Sequence, residues 1–117
     1  MVNFQKVAKK AIVDVLRERG IPQAFMEAED ADGKPWMSCV FQWSGREYEI
    51  EIFQDSVVMT SGKELFEPYM PREFSSADAQ IIGFTTRLDR YLSGGDWEGP
   101  DEEGFVERCL KAFRRRR

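Results

Sequence analysis

Residues 36–53, WMSCVFQWSGREYEIEIF, constrain this chain more tightly than any other stretch. Apolar residues recur at every second position on both sides of Ser44-Gly45, and a strand presents alternate side chains to opposite faces. A two-residue loop at Ser44-Gly45 predicts the pairs Trp43 with Arg46, Phe41 with Tyr48, Cys39 with Ile50 and Met37 with Ile52. That register puts one apolar set on a single side and sets Gln42, Val40 and Ser38 opposite Glu47, Glu49 and Glu51 on the other. Two strands thus agree independently on which side faces a core. A slip of one residue would turn the whole apolar set to water.

Flanking segments extend the pattern. QAFMEAE (23–29) reads as a strand joined to the hairpin through the turn DADGKP, and SVVMT (56–60) reads as another after the turn at Gln54-Asp55. Before them, Phe4, Val7, Ala8, Ala11, Ile12, Val15 and Leu16 form the stripe of an amphipathic helix. Asn3 is placed to cap its start, and Gly20 followed by Ile21-Pro22 to end it. Residues 60–75 mix glycine, prolines and aromatics, and are expected as an irregular connection with a short helical turn at Lys63–Phe66. A helix is expected after Ser75, with Ser75 and Asp78 in the places of a capping box. Its stripe is Ile81, Phe84, Leu88 and Tyr91, with Thr85 and Leu92 beside them, and Gly83 inside it suggests that another backbone comes close. A last helix is expected from Pro100-Asp101, burying Phe105, Val106, Cys109, Leu110 and Phe113.

Together these elements predict an α+β fold: an N-terminal helix, a three- or four-stranded antiparallel meander and two C-terminal helices, all three helices on one face of the sheet. The length of 117 residues fits a single domain over 1–117. No apolar run approaches the ~20 residues that span a bilayer. The N-terminus interleaves charges with apolar residues, unlike a secretory signal, so a cytoplasmic location without a membrane partner is expected.

Composition narrows the chemistry. Histidine is absent, which removes the commonest general base, a common metal ligand and the usual partner of a serine or cysteine nucleophile. Cys39 and Cys109 make no C-x-x-C pair and fall at apolar positions, so both read as buried reduced thiols. Gly62-Lys63 lacks the earlier glycine and the following Ser or Thr of a phosphate loop. In AEDADGKPW, Asp30 and Asp32 sit where a calcium loop has ligands, but Ala28 and Cys39 occupy its first and twelfth positions, which leaves a hairpin turn. No catalytic site, cofactor or metal is expected, and the chain reads as a non-enzyme.

The net charge of -4 hides a division. Residues 1–19 carry +3, residues 20–106 carry -12 and residues 107–117 carry +5. Asp101, Glu102 and Glu103 at the start of the expected last helix, and Arg114, Arg115, Arg116 and Arg117 at its end, complement the helix dipole without any partner. Those arginines are also candidates for contact with nucleic acid or with the acidic surface of a second copy, although the acidic middle of the chain argues against a polyanion.

Glu47, Glu49 and Glu51 project from one face of a strand, with Trp36, Val40 and Phe53 expected beside them. Apolar anchors within an acidic field suit recognition of a basic protein surface. The leading expectation is therefore a small binding protein of adaptor, inhibitor or immunity type, with a protein partner engaged by Glu47, Glu49, Glu51, Trp36 and Val40. Two alternatives stand beside it. One is a carrier or enzyme with an aromatic loop pocket formed by Trp43, Phe66, Tyr69, Met70, Phe74 and Trp97. The other is a nucleic-acid accessory protein using the basic terminal helices.

Overall fold

Asn3 starts the first helix as expected, its side-chain oxygen accepting from the Gln5 N–H at 2.8 Å, and α1 runs Phe4–Glu18. At the other end the Ile21 N–H reaches the Leu16 carbonyl at 2.9 Å and the Gly20 N–H reaches Arg17 at 3.0 Å. This is a Schellman cap, which needs a left-handed residue at its turn, and Gly20 supplies φ +67°. Ile21 folds back against the helix and is buried. The computed structural model describes residues 3–69 and 76–98.

Five strands follow: β1 (Ala24–Glu29), β2 (Pro35–Trp43), β3 (Arg46–Ile52), β4 (Val57–Ser61) and β5 (Glu64–Phe66). They form one antiparallel meander in sequence order. The fold is α+β, with two corrections to the expected layout. The sheet has five strands rather than three or four, because Glu64–Phe66, expected as a helical turn, pairs with β4 through Met59–Phe66, Thr60–Leu65 and Ser61–Glu64. The loop between them is Gly62-Lys63, with Gly62 at φ +60°, the glycine-first pattern of a tight hairpin. Two helices are described, α1 and α2 (Ala77–Leu92); the helix expected from Pro100 lies outside the described residues.

The β2–β3 register is the one the alternation requires, from Met37–Ile52 to Trp43–Arg46. Ser44 and Gly45 both have positive φ, 53° and 79°, which twists the turn in the sense of the strands it joins. The inner face of the sheet contributes Cys39, Phe41, Tyr48, Ile50, Ile52, Val57, Met59 and Phe66 to a core with Ala8, Ile12 and Leu16 of α1 and Ile81, Phe84, Leu88 and Leu92 of α2. Burying a large side chain of this kind contributes ~1.5–3 kcal/mol. Burial also pushes the Cys39 thiol up to about 11, although a hydrogen bond to the Ala24 backbone opposes the shift.

Polar side chains fasten the layers. The Gln80 amide accepts from the Val57 N–H at 2.7 Å and donates to the Asp55 carbonyl at 2.9 Å, so one buried group holds the β3–β4 turn to α2. Gln5 does the same for α1, donating to the Pro35 carbonyl at 2.8 Å. The cap of α2 is Ser76, whose hydroxyl accepts from the Ala79 N–H at 3.2 Å, one residue later than expected. Asp78 therefore stands in the first turn, where the dipole favours an anion. Gly83 meets a second backbone as its position suggested: a Cβ there would collide with the Tyr69 carbonyl oxygen.

Candidate functional site

The candidate site is the outer face of the sheet, opposite the core in which both described helices are packed. Cross-strand pairing sets its pattern. Glu49 lies between Val40 and Thr60, Glu51 between Ser38 and Val58, and Glu47 beside Gln42. Strand geometry spaces the three carboxylates at roughly 7 Å intervals along the sheet. Trp36 and Phe53 stack at the end of this row with centroids 5.9 Å apart. The acidic residues and the apolar anchors Trp36 and Val40 thus share one surface, at the register read from the sequence.

Two apolar members escaped the sequence reading. Met26 is 66% exposed and Leu65 is 57% exposed, on the strands that bound the sheet. Pairing places Met26 across from Ser38 and Leu65 across from Thr60, so both belong to the outer face. Alternation in QAFMEAE was a usable signal for Met26. Leu65 required recognising Gly62-Lys63 as a hairpin loop.

The carboxylates are not equivalent. Partial burial, reinforced by the charge of Glu49, raises the Glu51 carboxyl above its ordinary value. Among the described residues neither Glu49 nor Glu51 has an ion-pair partner, so the two neighbouring carboxylates leave the middle of this face negative. Arg46, two residues from Tyr48 on β3, lies on the opposite, core side of the sheet: its guanidinium pairs with Glu64 at 2.8 Å and covers the Tyr48 ring, 5.4 Å from its centroid.

The aromatic residues grouped above as a pocket divide differently. Phe66 and Trp97 are buried, with centroids 5.3 Å apart, and Trp97 also packs on Phe84 at 5.4 Å and Tyr91 at 5.9 Å. Trp43 packs on Tyr91 at 5.3 Å. Trp97 Nε1 donates to the Glu67 carbonyl at 2.7 Å, and Tyr69 stacks under Arg87, 5.4 Å away. These rings therefore fill space against one another. Met70, Phe74 and the arginines at 114–117 lie outside the described residues.

At the DADGKP turn, the Asp30 carboxylate accepts from the backbone N–H of Asp32 at 2.8 Å and of Lys34 at 2.9 Å, with Gly33 at φ +78°. That is how a short acidic side chain builds a turn. Among the described residues there is no group of three or more Cys, Asp or Glu side chains placed to hold a metal ion, and no helix is long and apolar enough to cross a membrane. No family model matches the chain, and neither the curated proteins nor the solved structures contain a match to it.

Proposed function

We propose that the chain is a non-enzymatic binding protein whose outer sheet face recognises a basic macromolecular surface, most simply that of another protein. One observation carries the reading: Glu47, Glu49 and Glu51 stand in a row among Trp36, Val40, Phe53, Met26 and Leu65 on the face opposite the packed helices. Apolar side chains supply area that releases water on contact, and the acidic row selects the sign of the partner and speeds encounter. The raised Glu51 carboxyl adds a reason for affinity, since a cation brought beside Glu49 and Glu51 relieves their mutual repulsion. The same acidic row repels phosphate backbones, which places nucleic acid behind protein as a partner.

The test is charge reversal in the full chain. With Glu47, Glu49 and Glu51 all changed to lysine, and folding checked by circular dichroism, the partners captured by the parent protein at low salt are no longer recovered. Recovery of the same partners by the folded triple variant rejects this face as the site.

A further inference from the structure

The two edges of the sheet are finished differently. β5 is three residues long, its Glu64 is held by Arg46, and Pro68 follows it closely. Short edges of this kind resist pairing with other chains. β1 is six residues long, contains neither lysine nor proline, and has the exposed Met26 at its middle. Among the described residues no strand lies beyond it.

The phase of the ladder shows what this edge offers. In an antiparallel pair, residues alternate between exchanging hydrogen bonds with the partner strand and directing them away. The Asp30 N–H donates to the Lys34 carbonyl at 2.9 Å, which continues the β1–β2 register one step past Glu29–Pro35. Even-numbered residues of β1 therefore bond to β2. The N–H and C=O groups of Phe25 and Glu27 point off the sheet.

We propose that this edge pairs antiparallel with β1 of a second copy about a two-fold axis at Met26, giving one continuous ten-stranded sheet. Paired residues must keep to the same face, which restricts the register to centres on whole residues. A centre at Glu27 sets two like charges directly opposite, and a centre at Phe25 shortens the overlap. The Met26 centre places Met26 against Met26 of the second copy, Ala24 against Ala28, and Phe25 against Glu27. Phe25 and Glu27 carry the outward backbone groups, so the two Phe25–Glu27 pairs exchange the hydrogen bonds and Met26 occupies the close, non-bonded position. Charge supports the same register. Lys9 Nζ lies 5.0 Å from the centroid of the Phe25 ring, on the helix side of the sheet. Glu27 of the second copy, directly opposite Phe25 on that side, is brought to Lys9, and the symmetry repeats the pair.

The edge shares Met26 with the outer face but does not involve Glu47, Glu49 or Glu51, so reversing those three charges tests recognition while leaving dimerisation to be read separately. The unmodified chain is expected to sediment at twice 13.6 kDa and to dissociate on dilution. In a Cys109→Ser background with the buried Cys39 retained, Met26→Cys is expected to form a disulfide-linked dimer under mild oxidation. Its crosslinking should run roughly tenfold faster than that of Ala28→Cys, because a non-bonded antiparallel pair brings Cα atoms to about 4.5 Å, within disulfide reach. Ala24→Cys mixed with Ala28→Cys should yield the mixed dimer. Lys9→Glu should weaken the dimer, and Lys9→Glu with Glu27→Lys should restore it. Glu27→Pro removes only an outward N–H and should leave a folded monomer; if it does not fold, the cysteine rates decide. A monomer at every concentration tested overturns the proposal, as does a dimer in which Met26→Cys links no faster than Ala28→Cys.

Discussion

Tyr48, Ile50 and Ile52 are at most 1% exposed, while Glu47, Glu49 and Glu51, each one residue away on the same strand, stand on the opposite face. Local sequence, hydrogen-bond ladder and backbone geometry are shared between the two sets. What separates them, among the described residues, is the layer of helices packed on the inner side. The inner set is held by volume and contact, the outer set by charge and its cross-strand neighbours, so the same kind of substitution should have opposite consequences on the two faces.

The largest expected effect is at the centre of the inner face. Ile50→Ala should destabilise by about 3 kcal/mol in chemical denaturation, since the side chain is fully buried in the core, whereas Glu49→Ala should stay within about 0.5 kcal/mol. Similar losses for the two would break the distinction. Next is Gly83→Ala, which normally gains helix propensity. Here the added methyl runs into the Tyr69 carbonyl oxygen, and a loss of about 2 kcal/mol is expected in the same measurement.

A smaller effect is expected from the hydroxyl pair at 2.8 Å between Tyr48 and Tyr91. Tyr91→Phe leaves the buried Tyr48 hydroxyl without that partner and should cost about 1.5 kcal/mol; Tyr48→Phe leaves only the half-buried Tyr91 hydroxyl, which water can reach, and should cost less. Burial and the Tyr48 contact also push the Tyr91 hydroxyl up to about 12, so it stays protonated through the neutral range.

The smallest change carries the opposite sign. The Glu51 carboxyl is raised in the folded chain, so folding favours its protonated form. The stability linked to this group is fully present below the unfolded pKa and is lost as pH rises through the raised folded value. Glu51→Gln removes that loss. Its melting temperature should exceed the parent's at about pH 7, and the advantage should vanish near pH 3. A variant less stable than the parent at neutral pH would show that Glu51 is held by a favourable partner.

Much of this was legible beforehand, and for identifiable reasons. The Cys39–Ile50 pairing followed from two alternating runs joined by a two-residue loop at Ser44-Gly45. Gly83 stood out because a helix interior penalises glycine unless something lies too close for a side chain. Strand β5 did not stand out, since three residues are too few for a period and Glu and Leu favour helices. The cap of α2 was misplaced by one residue because Ser75 and Ser76 are equivalent in type, and only backbone geometry distinguishes them. The loop aromatics could be offered only as an alternative pocket, because composition cannot tell rings that line a space from rings that fill it; among the described residues, Phe66 and Phe84 both pack on Trp97.

The amino-acid sequence by itself determined the start and end of α1, the hairpin register and the separation of acids from apolar residues across β2 and β3, because all of these depend on neighbours within a few residues or across one tight turn. Tertiary structure decided that Glu64–Phe66 joins the sheet, that Leu65 thereby lies on the acidic face, and that the backbone close to Gly83 is that of Tyr69. Each of those outcomes depends on packing against the rest of the fold, which overrides the local preference of Glu and Leu for helix and selects the backbone that local pattern leaves unnamed.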